Sequence, residues 1–525
     1  MLSELYSLAF IVSLSALTGW FYFKEDEVRS RLFSKIFFGG LAVYSICWLM
    51  GQGALGYKMS VLGRELLILA AVPVVLSFFR KMKAGYFIML LLALAALKYF
   101  YFDHLKATFP QKTEQVVDTP QSEPAQSSET VPDPSGELLV EIKDLHRITE
   151  IQDVLDEYGL LASPAFSMKD TEGTDLDDYF LVNVPPRFEK HLEVVKQALD
   201  ATGLVEWSEE NEQITIAPIE TTPQRPLPRL NKKYGLNDPG LENLWGFEAM
   251  NVAGLYEILK NAKPKKEALI AILDTGVDAN HEDLKDNFTS TQSKYDTDKA
   301  GHGTHCAGIA AAVSNNNIGI ASFSQTNDFV QVTSIKVLSD GGFGTQQMII
   351  NGILEAADRG ADVISLSLGG PSSGLRQRAY EKAVQYANNK GAILVVAAGN
   401  SNRNANEFTP ANVPGVITVS AIDTLLGRAS FSNFVQDIKM AVAAPGVKIY
   451  STFPGSQYQT FNGTSMATPY VSGLVGLMKS LRPELTTKEA YKILNGTGTE
   501  TRGKAETGKL IQPARAIQSL MGTNF

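Results

Sequence analysis

ALIAILDTG, residues 268–276, is a run of small and branched apolar residues that ends on a carboxylate and a glycine. Similar runs recur at 332–338 (VTSIKVL), 361–370 (ADVISLSLGG), 391–400 (GAILVVAAGN) and 415–422 (GVITVSAI). Continuous Val, Ile, Leu and Ala runs of this length suit strands buried on both faces. Helical patterns between them, at 346–359 and 375–389, supply crossover connections. The fold predicted is α/β, with a doubly wound, mostly parallel sheet whose active groups gather at the carboxyl ends of the strands.

Asp274 stands at one such end. Alone, Asp274, Thr275 and Gly276 also suit an aspartic protease, but that chemistry needs a second such triplet or a homodimer in a β-rich fold. The sequence shows no second Asp-Thr/Ser-Gly triplet. His302 lies in GHGTHCAGIAAAV (301–313), whose glycines and alanines let a helix approach the sheet closely. A general base needs an orienting carboxylate, which Asp274 supplies. His305 shares the helical face of His302, but without an HExxH pattern or a third ligand it reads as a hydrogen-bonded structural residue rather than half of a metal pair.

Ser465 lies in FNGTSMATPYVSGLVGLM (461–478), after Gly463 and before an apolar helical run in which Pro469 fits the first turn. A serine at a helix N-terminus sits among free N–H groups that favour developing negative charge. Asn400 ends the run VVAAGN and offers a side-chain N–H donor to an oxyanion. Cys306 reads as a buried neutral thiol behind the site, not a nucleophile.

LDTG, GHGTHCAG, SLSLGGP, AAGN and NGTSMATP, in this order, resemble the subtilisin-like family over residues 235–520. The Asp, His, Ser chain order is that of the subtilisin triad. The resemblance implies a serine endopeptidase in which Asp274 orients His302, His302 takes the Ser465 proton, Ser465 forms an acyl-enzyme and Asn400 completes the oxyanion hole. It also implies that Gly342 and Gly344, opposite Ser367, Leu368 and Gly369, hold an extended polypeptide substrate as an added strand. SNNNIGI (314–320) with Asp283 resembles a family calcium site, with Asp283, Asn316 and the carbonyls of Ile318 and Ile320 as ligands. A polar loop without metal is the other reading.

Residues 137–218 read as β-α-β-β-α-β, with a helix over 148–158, a second over 190–201 and a last strand over 205–216. This is the split βαβ plan of a small α+β, ferredoxin-like domain. Its place before the enzyme resembles a subtilisin-like propeptide, which assists folding and inhibits until removed; a plain spacer or interaction module is the alternative. Residues 219–234, rich in Pro and basic residues, form an exposed linker suited to a processing cut, and the peptidase domain follows at 235–525.

Four apolar stretches, 5–23, 36–56, 62–79 and 84–102, predict a membrane domain of four transmembrane helices over residues 1–106. Lys24, Arg29, Arg31 and Lys35 in one link, and Arg80, Lys81 and Lys83 in another, place those links in the cytoplasm and both termini outside. The lipid bilayer is thus an expected partner, with the enzyme on the periplasmic or extracellular side. Residues 107–136, rich in Pro, Ser, Thr, Gln and Glu, read as a disordered linker.

A formal charge of -9, without a long basic block, predicts no nucleic-acid partner. Two cysteines far apart, Cys47 and Cys306, argue against a disulfide framework. The sequence reading is a membrane-anchored, self-processed serine endopeptidase, with a membrane sensor whose proteolysis is confined to itself or one partner as the alternative.

Overall fold

The structure, a computed structural model, describes residues 12–13, 16–17, 20, 23, 26–50, 136–169, 174–188, 191–216, 219–221, 231–372 and 377–522. Two compact units divide the chain, 1–128 and 129–525.

In the first unit, helix α1 spans Glu27–Met50. The basic link expected after residue 23 is therefore helical from Glu27 onward. Arg31 pairs with Glu27 one turn away, and Arg29 with Asp26 at 3.3 Å, contacts that favour helix at this spacing. Among the described residues, no helix is long and apolar enough to cross a membrane. The predicted spans 62–79 and 84–102, most of 5–23, the end of 36–56 and the linker up to residue 135 lie outside the described residues.

The second unit opens with β1 (Leu138–Ile142), α2 (Gln152–Tyr158), β2 (Leu161–Pro164), β3 (Tyr179–Asn183), α3 (Leu192–Asp200) and β4 (Val205–Glu210). The strands lie in the order β2-β3-β1-β4, and every neighbouring pair is antiparallel. Leu138, Val140 and Ile142 face Leu155, Val195 and Leu199 of the helices, so alternation along β1 builds one small core. The strand predicted over 205–216 divides in two. After β4 the chain leaves this sheet, and β5 (Gln213–Thr215) pairs elsewhere; β6 (Ile219–Thr221) follows it.

Seven parallel strands form the main sheet. In chain order they are β7 (Ala268–Asp274), β8 (Val330–Lys336), β10 (Val363–Leu366), β11 (Ile393–Ala397), β12 (Val416–Ile422), β13 (Ala441–Pro445) and β15 (Lys509–Leu510), with β9 (Phe343–Thr345) outside the sheet. Their spatial order is β15-β13-β12-β11-β10-β7-β8, all parallel. Strand β7 shows why its sequence is apolar throughout. Ile270 and Ile272 join one core, with Ala307 and Ala310 of α4 (His302–Ala311). Ala271 and Leu273 join the other, with Ile349 and Ile353 of α5 (Gln346–Asp358) and Ala383 of α6 (Arg378–Asn389). Burying each isoleucine or leucine on either face contributes about 1.5–3 kcal/mol. Strand β14 (Gln457–Asn462) lies off the main sheet and leads directly into α7 (Thr464–Leu481), whose residues are buried from Thr464 to Ser480.

Candidate active site

Asp274 closes β7, where the chain must turn away from the sheet. His302 opens α4, and the helix lies close over the Asp274 turn. A Cβ on Gly303 would stand 2.1 Å from the Gly276 carbonyl oxygen, so only glycine permits this approach. Asp298 fixes the helix start. Its Oδ1 accepts from the Thr275 hydroxyl at 2.9 Å and the Gly301 N–H at 2.8 Å, and its Oδ2 accepts from the Thr304 N–H and hydroxyl at 2.9 and 2.7 Å. Sequence reasoning missed Asp298, although an acidic residue just ahead of a helix is a capping signal.

His302 Nδ1 meets both Asp274 oxygens, at 2.8 and 2.9 Å. Both side chains are buried. Burial opposes charging the ring, but the facing Asp274 carboxylate outweighs it and raises the His302 pKa above the ordinary imidazole value. Nε2 is buried and has no hydrogen-bond partner among the described residues. An imidazole anchored through one nitrogen and unengaged at the other is equipped to accept a proton there.

His305 lies on the same helix but serves packing. Its ring stacks on Phe461 with centroids 4.4 Å apart, and Nε2 approaches the Gln459 carbonyl at 3.1 Å. Burial, with His302 nearby, pushes its pKa down to about 3. A neutral, stacked His305 agrees with the structural reading rather than a metal pair. Atoms of Asp274, His302 and Cys306 lie within 4.8 Å of one another. That spacing alone would suit a metal, but burial holds the thiol protonated, well above the usual range, and Sγ donates to the Ser465 carbonyl at 3.5 Å.

Ser465 is the second residue of α7. Pro469 falls deeper in this helix than the first turn expected for it. The consequence is specific: Pro469 has no N–H, so the Ser465 carbonyl lacks its helical donor and instead accepts from the Ser367 hydroxyl at 2.8 Å and from Cys306. The Ser465 hydroxyl donates in turn to the Ser367 carbonyl at 2.9 Å. Cys306 thus touches Ser465 from the helix that carries His302. Asn400, beyond the end of β11, accepts from the Thr464 N–H at 2.9 Å through Oδ1.

The expected substrate edges already hold a strand of the same chain. Ile214 pairs with Gly344 and Thr215 with Phe343 in an antiparallel ladder, and the Ile216 N–H donates to the Gly342 carbonyl at 3.1 Å. Gly342 has φ +77, and a Cβ there would meet Ile216 Cγ1 at 2.9 Å. On the other side, a Cβ on Gly370 would lie 3.5 Å from the Gln213 carbonyl oxygen, so the strand runs beside the segment containing Ser367, Leu368 and Gly369.

The small domain is tied to the same face. Glu209 accepts from Gln346 Nε2 at 2.7 Å and from the Arg378 N–H at 3.1 Å; Asn211 accepts from the Gln347 N–H at 2.9 Å. These acceptors satisfy free N–H groups at the starts of α5 and α6, where negative charge is favoured. Lys382 adds ion pairs to Glu141 and Asp175, each at 2.7 Å.

The expected calcium ligands gather, though with other partners. Asp283 accepts from Asn316 Nδ2 and from the Ile320 N–H, both at 2.8 Å. Asn316 Oδ1 accepts from the Ile318 N–H at 2.9 Å, so its oxygen turns inward to the loop rather than toward Asp283. Asp238, buried and missed in the sequence, accepts from the Asn315 N–H at 2.9 Å. Burial raises both carboxyl pKa values. Two buried carboxyls from separate segments meet the 314–320 loop, and a hard cation would stabilise their charged forms if Asn316 turned its oxygen toward them.

Comparison with known proteins agrees with this geometry. The Subtilase family pattern matches residues 265–509. Thermitase of Thermoactinomyces vulgaris is 40% identical over 293 residues, covering 53% of this chain and 100% of thermitase. Subtilisin DY of Bacillus licheniformis is 40% identical over 257 residues, covering 47% of this chain and 90% of its own. The thermophilic serine proteinase of Bacillus sp. (strain AK1) is 34% identical over 376 residues, covering 69% of this chain and 84% of its own. The chain belongs to the subtilase family and is a subtilisin-like serine endopeptidase.

Proposed function

We propose that the protein is a membrane-anchored endopeptidase that cleaves polypeptides outside the cytoplasm through an acyl-enzyme on Ser465. The observation that carries the chemistry is His302, held by Asp274 through Nδ1 and, among the described residues, unengaged at buried Nε2.

For the reaction Ser465 Oγ leaves the Ser367 carbonyl, to which it donates in the structure, and engages His302 Nε2. Nε2 accepts the hydroxyl proton as Oγ attacks the substrate carbonyl carbon. The oxyanion meets the Ser465 N–H and the Asn400 amide, donors whose individual loss costs about 2.7–4 kcal/mol. The C–N bond breaks, the leaving nitrogen takes the proton from His302, and water then releases the acyl group by the reverse roles. Asp274 keeps its hold on Nδ1 and steadies the imidazolium.

The substrate lies extended between Gly342 and Gly344 on one side and Ser367, Leu368 and Gly369 on the other. Support comes from the chain's own segment Gln213–Ile216, which follows that path. The small domain is read as a ferredoxin-like propeptide that presents this segment. A chain that fills its own cleft also favours a second reading, in which proteolysis is confined to itself or one partner. Asp283, Asn316 and the carbonyls of Ile318 and Ile320, joined by Asp238, are proposed to hold a structural calcium ion. The membrane anchor rests on the four apolar stretches before residue 103 and their basic links.

Expression with tags at both ends, alongside Ser465→Ala, tests this reading. The wild type is expected in the membrane fraction, to shorten over time and to hydrolyse casein, and the variant to stay full length. Wild-type protein that remains soluble without detergent would end the anchored reading. Wild-type protein that stays intact, hydrolyses nothing and leaves Ser465 unlabelled by a fluorophosphonate would end the enzymatic one.

A further inference from the structure

The strand that lies on β9 meets different surroundings on its two faces. The Gln346 N–H donates to the Glu212 carbonyl at 2.8 Å and the Ile216 N–H to the Gly342 carbonyl at 3.1 Å, so the hydrogen-bonded pairs fall at every second residue. Thr215 and Phe343, opposite each other between them, are therefore a non-hydrogen-bonded pair, the kind with Cα atoms about 4.5 Å apart and side chains at their closest. The backbone of Phe343 points the other way: its N–H donates to Ser339 Oγ at 3.2 Å and its carbonyl accepts from the Ser339 N–H at 2.8 Å, within the 339–343 turn. On the inner face Ile214 is buried, and glycine is required opposite it, where a Cβ on Gly344 would lie 2.6 Å from the Val337 carbonyl oxygen. On the outer face Thr215 is exposed, and Phe343 keeps 58% of its surface in water even with the strand in place. Phe343 belongs to neither core of the peptidase, so packing does not account for an aromatic ring here. Gly369 and Gly370, on the other rim, carry no side chain.

We propose that Phe343 is a specificity-determining residue, which selects β-branched and aromatic side chains over alanine and glycine at the substrate position opposite it. The inference rests on the endopeptidase reading above, with the substrate laid on β9 as an added strand. Main-chain hydrogen bonds hold such a strand without regard to its sequence, so selection comes from what its alternate side chains meet. The inner face offers room beside glycine; the outer face offers the Phe343 ring. Aromatic–aromatic and aromatic–β-branched cross-strand pairs exceed alanine pairs by enough to shift an equilibrium up to about 5-fold. Glycine opposite the ring leaves it in water. The turn that ties the Phe343 backbone to Ser339 fixes the root of the ring before a substrate arrives, so less ordering opposes the gain. Thr215, a β-branched residue, holds this position in the chain's own strand, in keeping with the preference. The contact forms as the strand is added and persists through cleavage, so it acts on kcat/KM.

The test uses the full-length protein in detergent, checked first for casein hydrolysis, and peptides that repeat Gln213–Ile216 with a residue X in place of Thr215, followed by Ala-Ser-Gly. Two peptides compete in one tube, and mass spectrometry reads the bond cut and the ratio of their kcat/KM values, which does not depend on how much enzyme is active. Wild type is expected to favour X = Thr, Val or Tyr over X = Ala by about 3- to 5-fold. Phe343→Ala should bring these ratios close to one, Phe343→Tyr should keep them, and Phe343→Lys should move the preference to X = Glu. A wild type that takes X = Ala as readily as X = Tyr overturns the inference. So do ratios that Phe343→Ala leaves unchanged, and loss of all cleavage in the variants, which would give Phe343 a role other than selection; each of these results leaves the endopeptidase reading standing. Wild-type protein that hydrolyses no casein and takes no fluorophosphonate on Ser465 overturns that reading, and the inference with it.

Discussion

Asn400 turns its side-chain oxygen onto Thr464 and accepts from both its N–H and its hydroxyl, each at 2.9 Å. The Thr464 hydroxyl in turn accepts from the Gly399 N–H at 3.1 Å. With its oxygen committed to two donors, the amide presents Nδ2 toward Gly463 and the start of α7; Nδ2 is 3.4 Å from where a Gly463 Cβ would stand. A donor fixed before the substrate arrives costs no reorganisation when the oxyanion forms. Asn400→Leu should lower kcat by about 10²–10³ with little change in KM. Thr464→Val should lower kcat less, and Thr464→Ser should restore it. Steady-state kinetics check this; a change confined to KM would count against the donor role.

The His302 pKa is raised because the Asp274 field and hydrogen bond exceed the effect of burial. Proton abstraction needs the neutral ring, so kcat/KM should rise with pH through a midpoint above the ordinary value of about 6.5. Asp274→Asn should move that midpoint down and reduce kcat on the order of 10⁴-fold. The linked stability has a definite sign. A histidine whose folded pKa exceeds its unfolded value stabilises the fold fully below the unfolded pKa, and that contribution is lost as pH rises through the folded pKa. Thermal melts of wild type and Asp274→Asn should therefore converge on the alkaline side.

Asp298, rather than any triad residue, decides where α4 begins, and it illustrates what the sequence leaves unread. The sequence reading places the proposed triad at a strand end and two helix starts, and Asp274 ends β7 while His302 and Ser465 lie at the starts of α4 and α7. Capping is harder to read, since Asp296 and Asp298 precede the helix equally well and only three-dimensional reach selects Asp298. Residues 205–216 read as one strand because no Gly or Pro marks the break at Asn211 and Glu212. A competing edge, β9, takes the second half, and competition between distant edges leaves no local trace. Pro469 looked compatible with a first turn; its place farther in frees the Ser465 carbonyl for Ser367, a relationship that spacing alone does not contain.

Glu209 connects the small domain to two helices of the peptidase, accepting from Gln346 and from the Arg378 N–H. Glu209→Ala leaves these donors without their acceptor, at about 1–3 kcal/mol for each buried group. The small domain should separate more readily, and casein hydrolysis should appear earlier than in wild type. Native gel shifts alongside a time course of activity read the two effects together. Unchanged timing would mean that the caps do not govern release.

Calcium should raise Tm, and a chelator should lower it, because an ion bound only by the folded chain adds about 2.7 kcal/mol at 100 times its Kd. Asp283→Asn should remove most of that response while leaving the Asp274 and His302 geometry intact. Scanning calorimetry with and without calcium decides the matter; equal Tm values in both conditions would leave this loop as a hydrogen-bonded turn without an ion.

The central claim is that Ser465 is the nucleophile, and active-site titration of casein-hydrolysing protein tests it most directly. One fluorophosphonate per chain should attach to Ser465 as casein hydrolysis falls to zero, and Ser465→Ala should lose on the order of 10⁶ in kcat. Label on another residue, or a Ser465→Ala variant with activity near that of wild type, would contradict it.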